Sequence, residues 1–399
     1  MNAKTVVVMD EAGMADTRRL AILTELTGRG ESKLVLIGDQ AQLPPIGAGG
    51  MFAALQERVP TADLTEVHRA RHAWEREAWS QIREGESHHA LAGYQAHERL
   101  HISDTRPEAA ERMVSDWASV RRENPEERTV MLMDASNVEL DRINALAQEQ
   151  RALAGELGAD RAALPDRAYG LAAGDEVIFT AALYPPGQQR VENGTLGTVA
   201  DTDGDHGLTI KTHGAKQREV SVDTAEFNDL CLSYAQHVYK AQGRTVDRAF
   251  VLTGGWQTDR ERAYVALTRA RDRTDLYVAR EDLGEQGMDT GAIERLGAAM
   301  AESHAQAASI ATPVVGRGSE SGLQFATGVE PETTSGLSPV ARAAPPSDSE
   351  GGPSTDHHTP SVPFSEPNER GLESEIGRIM QEQDELDRDQ DRSLDRDIG

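Results

Sequence analysis

Val6-Val7-Val8-Met9-Asp10-Glu11-Ala12-Gly13-Met14 begins with an apolar run and passes into two adjacent carboxylates. Three β-branched residues and a methionine predict a buried strand of a parallel sheet. At the carboxyl edge of such a strand, side chains reach the ligand crevice. An Asp there holds Mg²⁺, usually through water, and the following Glu orients and deprotonates an attacking water. A second apolar run, Lys33–Ile37, leads into Gly38-Asp39-Gln40-Ala41-Gln42-Leu43-Pro44-Pro45-Ile46-Gly47. An Asp and two amides leave this strand end before a rigid Pro-Pro turn. Gln42 is placed to hydrogen-bond a terminal phosphate and so to sense it. The bland alternative is a strand–helix loop in which Asp39 caps the next helix.

Outward from these strands, Thr129–Met133 and Arg248–Leu252 read as further buried strands. Helical patterns fill Asp16–Leu26, Trp74–Glu84, Pro107–Arg122 and Val138–Arg151. This alternation predicts an α/β fold with a parallel sheet covered on both faces. Residues 168–226 break the pattern with short strands and the turn pairs Asn193-Gly194 and Asp203-Gly204. They predict a small antiparallel β-barrel inserted in an α/β lobe.

The chain has 399 residues and a net charge of −26, so bulk positive charge does not hold it on nucleic acid. Any DNA contact has to be local. The single cysteine, Cys231, excludes a disulfide framework and a Cys-based zinc site. No run of about 18 apolar residues occurs, and Met1-Asn2-Ala3-Lys4 does not open a signal peptide. A cytoplasmic protein is expected. From residue 291 onward, acidic residues outnumber basic ones 20 to 8. Residues 303–368 are Pro-, Ser- and Gly-rich and read as disordered linker. Leu372, Ile376, Ile379 and Met380 have helical spacing, which allows a short amphipathic helix.

The motifs resemble those of superfamily-1 helicases of the RecD-like branch. Asp10-Glu11 looks like motif II, the Walker B site, and Gly38-Asp39-x-x-Gln42-Leu43-Pro44 like motif III. Leu64-Thr65-Glu66-Val67-His68-Arg69 is similar to motif IV, whose arginine touches the γ-phosphate. Tyr234 to Val246, with Gln242-Gly243-Arg244-Thr245, is similar to motif V. Ala263-Tyr264-Val265-Ala266-Leu267-Thr268-Arg269-Ala270-Arg271 looks like motif VI. Within the branch, Asp10-Glu11-Ala12-Gly13-Met14 and Gln242-Gly243-Arg244-Thr245 look most like the helicase half of conjugative relaxases of the TraA/TraI type.

The resemblance implies RecA-like P-loop NTPase lobes and ATP-dependent, DNA-stimulated 5′→3′ unwinding with ATP and Mg²⁺. In it, Asp10 holds Mg²⁺, Glu11 activates water and Gln42 senses the γ-phosphate. Arg69 and Arg269 stabilise charge on the transferred phosphoryl group, and Gly38 and Asp39 help bind nucleotide. His237, Tyr239, Lys240, Gln242, Gly243 and Thr245 contact single- or double-stranded DNA. Tyr239 stands where the family usually has His. The implied layout is a partial first lobe at 1–95 and a second lobe at 96–167 and 227–290. The barrel lies at 168–226 and a disordered acidic tail at 291–399.

One part of the family pattern is missing. The phosphate cradle Gly-x-x-x-x-Gly-Lys-Ser/Thr has no counterpart, because the sequence contains no Gly-Lys dipeptide. The expectation is a first lobe cut before its nucleotide-binding loop. Such a chain is inactive alone, or is completed by another chain that carries the cradle. Two rival readings stand beside this one. The fragment is a non-enzymatic DNA-binding remnant or split subunit. Otherwise His97-Glu98-x-x-His101 is the zinc-protease signature, which requires both histidines on one helix face. Its flanks do not read as a long amphipathic helix, and the helicase reading makes Arg99–Ile102 a short strand with both histidines incidental. His88-His89 reads as solvated loop.

Overall fold

The structure is a computed structural model, and it describes residues 1–45, 47–64, 69–214, 217–284 and 291–305. The first elements are strand β1 (Val6–Met9), helix α1 (Thr17–Arg29), strand β2 (Lys33–Leu36) and helix α2 (Met51–Gln56). β1 and β2 pair in parallel, with Val6 opposite Lys33 and Met9 opposite Leu36. Asp16 caps α1 by accepting from the Arg19 N–H at 2.7 Å. Val6 and Val8 are each 57% exposed, so one face of this two-stranded sheet is uncovered.

Helices α3 (Ala73–Glu84) and α4 (Ser87–Ala96) follow, then β3 (Leu100–Ser103), α5 (Arg106–Glu123), β4 (Thr129–Met133) and α6 (Asn137–Leu153). Thr105 and Glu108 form a reciprocal capping box at the start of α5. Next come the short pair β5 (Arg161–Ala162) and β6 (Leu171–Ala172), then β7 (Glu176–Phe179), β8 (Leu196–Thr202), β9 (Gly207–Thr212), β10 (Glu219–Asp223) and β11 (Leu230–Leu232). The described chain closes with β12 (Ala235–His237), β13 (Val246–Thr253), α7 (Arg260–Leu267), β14 (Ala270–Ala279) and α8 (Ala292–Ala301).

The central sheet has strand order β12-β4-β13-β14-β3, and every pair in it is parallel. Alternation along β4 sends Met131 and Met133 into the core under α5 and α6. Val130 and Leu132 point to the opposite face, into the core that includes residues of α3, α4, α7 and α8. Both faces are therefore dry, as the unbroken apolar runs of β4 and β13 require. This is the parallel α/β architecture, covered on both faces, that the alternation of strands and helices predicts.

Residues 176–232 form a five-stranded antiparallel sheet of order β10-β9-β8-β7-β11. β11 extends it past residue 226, because Leu230 to Leu232 pair with Phe179 to Val177. Among the described residues β10 and β11 do not pair with each other, so the strands make an open sheet rather than a closed barrel.

Order also continues past 291, the start of the expected disordered tail. Ala292–Ala301 is helical, with Ala292, Leu296 and Met300 on a buried stripe. That apolar stripe offsets the ordering entropy which the acidic composition of the whole stretch cannot. The linker beyond 305 and the spacing of Leu372, Ile376, Ile379 and Met380 lie outside the described residues. No described helix is long and apolar enough to cross a membrane.

One buried carboxylate gives the fold a pH signature. Glu75 on α3 is 1% exposed. Burial pushes its pKa up to about 7, against the pull of nearby Arg99. The folded state thus binds a proton more tightly than the unfolded chain. Stability from this group is present below about pH 4.5 and is lost as pH rises toward 7. Glu75→Gln should gain stability over wild type between pH 5 and 8, by about 3 kcal/mol. Urea midpoints at the two pH values check this, and a gap that does not widen with pH refutes it.

Candidate nucleotide and nucleic-acid site

β1 delivers Asp10 and Glu11 at its carboxyl end. The Asp10 carboxylate accepts from the Glu11 N–H at 2.9 Å. Glu11 holds a left-handed backbone, φ 51°, which is strained for a residue with a side chain. The Ala12 N–H donates to the Ile37 carbonyl at 2.8 Å, locking the two strand ends together. Gly38 follows. A Cβ there would stand 2.9 Å from the Gly13 nitrogen, so glycine is needed for close approach rather than for a ligand contact. Asp39 turns its own loop by accepting from the Ala41 N–H at 3.0 Å. It does not cap a helix: its other oxygen accepts from the Tyr264 hydroxyl at 3.2 Å.

That last bond crosses from the β2 loop to α7. Three more contacts gather around it. The Gln242 amide donates to the Glu11 carboxylate at 3.4 Å. Arg69 donates to the Thr268 carbonyl at 2.7 Å. The Arg269 guanidinium donates to the carbonyls of Val265 at 2.9 Å and Arg244 at 3.4 Å. Burial lowers the Arg269 pKa to about 10, and the like charge of Arg69 adds to the effect, while Glu11 opposes it. Residues drawn from five separate stretches of sequence therefore meet. Thr65 to His68 of the fourth motif lie outside the described residues.

The side-chain oxygens of Gln42 and Gln242 are both buried without a hydrogen-bond partner. Buried amide oxygens without donors are costly, which suits a site waiting for a ligand or a bound water. Gly243 has φ 75° and faces Glu11, with 3.8 Å between the Glu11 Oε1 and the place a Cβ would take. Gly243→Ala should therefore cost about 1–2 kcal/mol from left-handed strain alone. Thermal melting checks it, and an unchanged midpoint would count against the strained turn.

His237, Tyr239 and Lys240 form a second group. His237 is 1% exposed and its Nε2 lies 2.9 Å from the Asn137 side-chain oxygen. Its ring stacks on Tyr239, with centroids 5.5 Å apart. The Lys240 ammonium sits 5.6 Å over the Tyr239 ring. A buried His237 supports Tyr239 rather than offering its own ring to a strand. Thr245 is half-buried just before β13.

The zinc signature does not assemble. Helix α4 ends at Ala96, Glu98 takes φ 56°, and His101 lies in β3. His97 stacks on Trp74 at 4.0 Å, while His101 lies 3.4 Å from Asp275. The register of β3 against β14 thus overrides the helical spacing of the motif. Among the described residues no three His, Cys, Asp or Glu side chains are grouped to hold a metal. His88 and His89 lie in the first turn of α4, not in a loop. Sequence reasoning gave no role to Tyr264, although it lies five residues before Arg269 in the same motif. Arg83, which reaches Asp39 at 3.5 Å from the end of α3, belongs to no motif.

A family model described as an AAA domain matches residues 1–105. The conjugal transfer protein TraA of Rhizobium radiobacter is 32% identical over 280 residues, covering 69% of this chain and 25% of that protein. Over about 280 residues the chain is homologous to conjugal transfer proteins and to a RecD2 DNA helicase. The ATP-dependent RecD2 DNA helicase of Deinococcus radiodurans is 29% identical over 282 residues, covering 67% of this chain and 35% of that helicase. This chain thus spans about a quarter to a third of the length of these relatives. The Pif1 helicase of Candida albicans aligns with 69% of this chain and 72% of its own, at 21% identity and a TM-score of 0.42.

Proposed function

We propose that this chain is part of an ATP-dependent DNA motor acting in conjugal transfer of DNA, in the cytoplasm. The observation that carries the reading is the meeting of Glu11, Asp39, Arg69, Gln242 and Arg269. Two carboxylates, two arginines and an unpartnered amide oxygen match the charge of a Mg²⁺–triphosphate. Asp10 would hold the metal, Glu11 would orient water, and Arg69 and Arg269 would face the terminal phosphate. Bound ATP would supply the free energy of its terminal phosphoanhydride bond. Tyr239, Lys240, Gln242, Gly243 and Thr245 would meet the backbone of a single DNA strand, which positions it without reading sequence. The homology to TraA and RecD2 helicases supports the same assignment.

The phosphate cradle has no counterpart in these residues, since no Gly-Lys pair occurs. Each lost charge-assisted hydrogen bond withholds about 1.5–3 kcal/mol from nucleotide. We therefore expect no turnover from these residues alone, and 5′→3′ unwinding once a segment or a partner chain supplies the cradle. The test is ATP hydrolysis by the purified chain, with and without single-stranded DNA, beside Glu11→Gln. The expected result is no DNA-stimulated rate above the Glu11→Gln baseline, with DNA still bound at low salt. Stimulated turnover abolished by Glu11→Gln would show that another group replaces the cradle. No DNA binding and no rescue by an added cradle would refute the motor reading.

A further inference from the structure

β13 ends in a tight turn that carries Trp256. The Gly254 N–H donates to the Thr258 hydroxyl at 2.9 Å, and the Thr258 N–H donates to the Gly255 carbonyl at 2.9 Å. Gly254, at φ 95°, supplies the left-handed step. Asp259 then caps α7 by accepting from the Arg262 N–H at 2.7 Å. The turn is thus closed at both ends, and Trp256 on its tip is 66% exposed. The other three tryptophans are built into the fold. Trp74 stacks on His97, Trp79 donates to the Tyr94 hydroxyl, and Trp117 donates to the Thr129 hydroxyl. Among the described residues no ring or cation stacks on Trp256. An indole left in water forgoes the burial that the others gain.

The turn stands at the carboxyl edge of the central sheet, the edge where parallel α/β folds meet their ligands. Tyr239 and Lys240 follow β12 on the same edge. Only β4 separates β12 from β13, so their ends are about 10 Å apart. Val238, next to Tyr239, lines one small cavity together with Asp134 and with Thr253 and Thr258 of the Trp256 turn. The Tyr239 ring is already engaged by His237 and by Lys240. Trp256 is therefore the aromatic face that this edge leaves open among the described residues. The charges beside the turn are matched. Arg106, whose guanidinium approaches Gly255, pairs with Glu139 and Asp282. Arg262 pairs with Asp259 and Asp134. A planar apolar face among matched charges suits a nucleobase better than a phosphate.

We propose that Trp256 stacks on a base of the single DNA strand whose backbone meets Tyr239 and Lys240. The seat rests on the DNA-motor reading above, which assigns those backbone contacts. Every base has a π-face, so stacking adds grip without selecting a sequence. It also adds grip that salt does not screen, on a chain whose net charge of −26 opposes DNA.

The test is oligothymidylate binding by the full chain, read by fluorescence anisotropy across a range of salt. The variants are Trp256→Ala, Trp256→Phe, Lys240→Gln and Tyr184→Ala. Tyr184 is an aromatic of like exposure, 65%, in the loop between β7 and β8. Expected is about tenfold weaker binding for Trp256→Ala at every salt concentration. Trp256→Phe keeps most of the affinity, and Tyr184→Ala changes it by less than about twofold. Lys240→Gln instead flattens the salt slope, by about 0.7 for one lost phosphate contact. On an abasic oligonucleotide of the same length, wild type and Trp256→Ala bind alike. Oligothymidylate quenches the intrinsic fluorescence of wild type and not that of Trp256→Phe, which reads the contact in a variant that keeps a ring. Full affinity in Trp256→Ala beside a flattened slope in Lys240→Gln would overturn the stacking seat and leave the motor reading standing. An equal loss on abasic DNA, or in Tyr184→Ala, would also overturn the seat. So would a Trp256→Ala variant that differs from wild type only in self-association by sedimentation, which would make the turn a protein interface. No DNA bound by wild type at low salt would overturn the motor reading and the seat with it.

Discussion

Arg269→Gln is expected to lower ATP turnover by about 10³–10⁵-fold in a chain carrying the phosphate cradle, as loss of an arginine finger does. Its folding stability should change little. Arg269 is 2% exposed, and among the described residues no carboxylate lies within ion-pair distance of it. Its partners are carbonyls and the Thr268 hydroxyl. Burial and Arg69 together bring its pKa to about 10, so the fold carries this charge at a cost. That cost is about 3 kcal/mol, which offsets much of what the guanidinium's four hydrogen bonds contribute. A residue kept charged against the preference of its surroundings is a candidate for chemistry. Thermal melting of the 399-residue chain and steady-state hydrolysis by the extended chain check the two halves. A large fall in melting temperature would make Arg269 a structural tie between α7 and the Ala241–Arg244 turn.

Asp175→Ala should be the most damaging single change to the antiparallel sheet, at about 3–5 kcal/mol. Asp175 is fully buried between β6 and β7. It accepts from the Ala172 N–H at 2.7 Å, from Gln148 on α6 at 2.6 Å, and from the Tyr234 hydroxyl. Arg151 in turn donates to that hydroxyl at 3.0 Å. Burial pushes the Asp175 pKa up against all of these bonds. Alanine leaves three donors buried and unpaired, while asparagine keeps an acceptor and should cost less. Urea unfolding reads the loss, and hydrogen exchange should show β7 to β10 released first. An Asp175→Ala variant as stable as wild type would mean that water takes the carboxylate's place.

The reach of the sequence is clearest where a signal is local. Val6 to Met9 predicted a strand because apolar β-branched runs have few other homes, and the carboxylates follow it by covalent geometry. The same holds for β4, where Thr129–Met133 is the strand expected and observed. Averaging failed at α8. The stretch from 291 onward is acidic as a whole, and its composition hid one turn-by-turn apolar stripe. At His97-Glu98-x-x-His101 the spacing alone fitted a helix, but the flanks told against one, and the strand read at Arg99–Ile102 is observed as β3 paired with β14.

The sequence by itself determined the α/β class, the order of the motif segments and the residue types that carry the chemistry. These follow from periodicity and from which side chains can hold a metal, a proton or a phosphate. Only the tertiary structure decided which of them meet. Tyr264 and Asp39 are 225 positions apart, and Gln242 and Glu11 are 231 apart. Bonds over such separations depend on how two sheets come to face each other, which no local pattern encodes. The same packing buried His237 behind Tyr239 and strained Glu11.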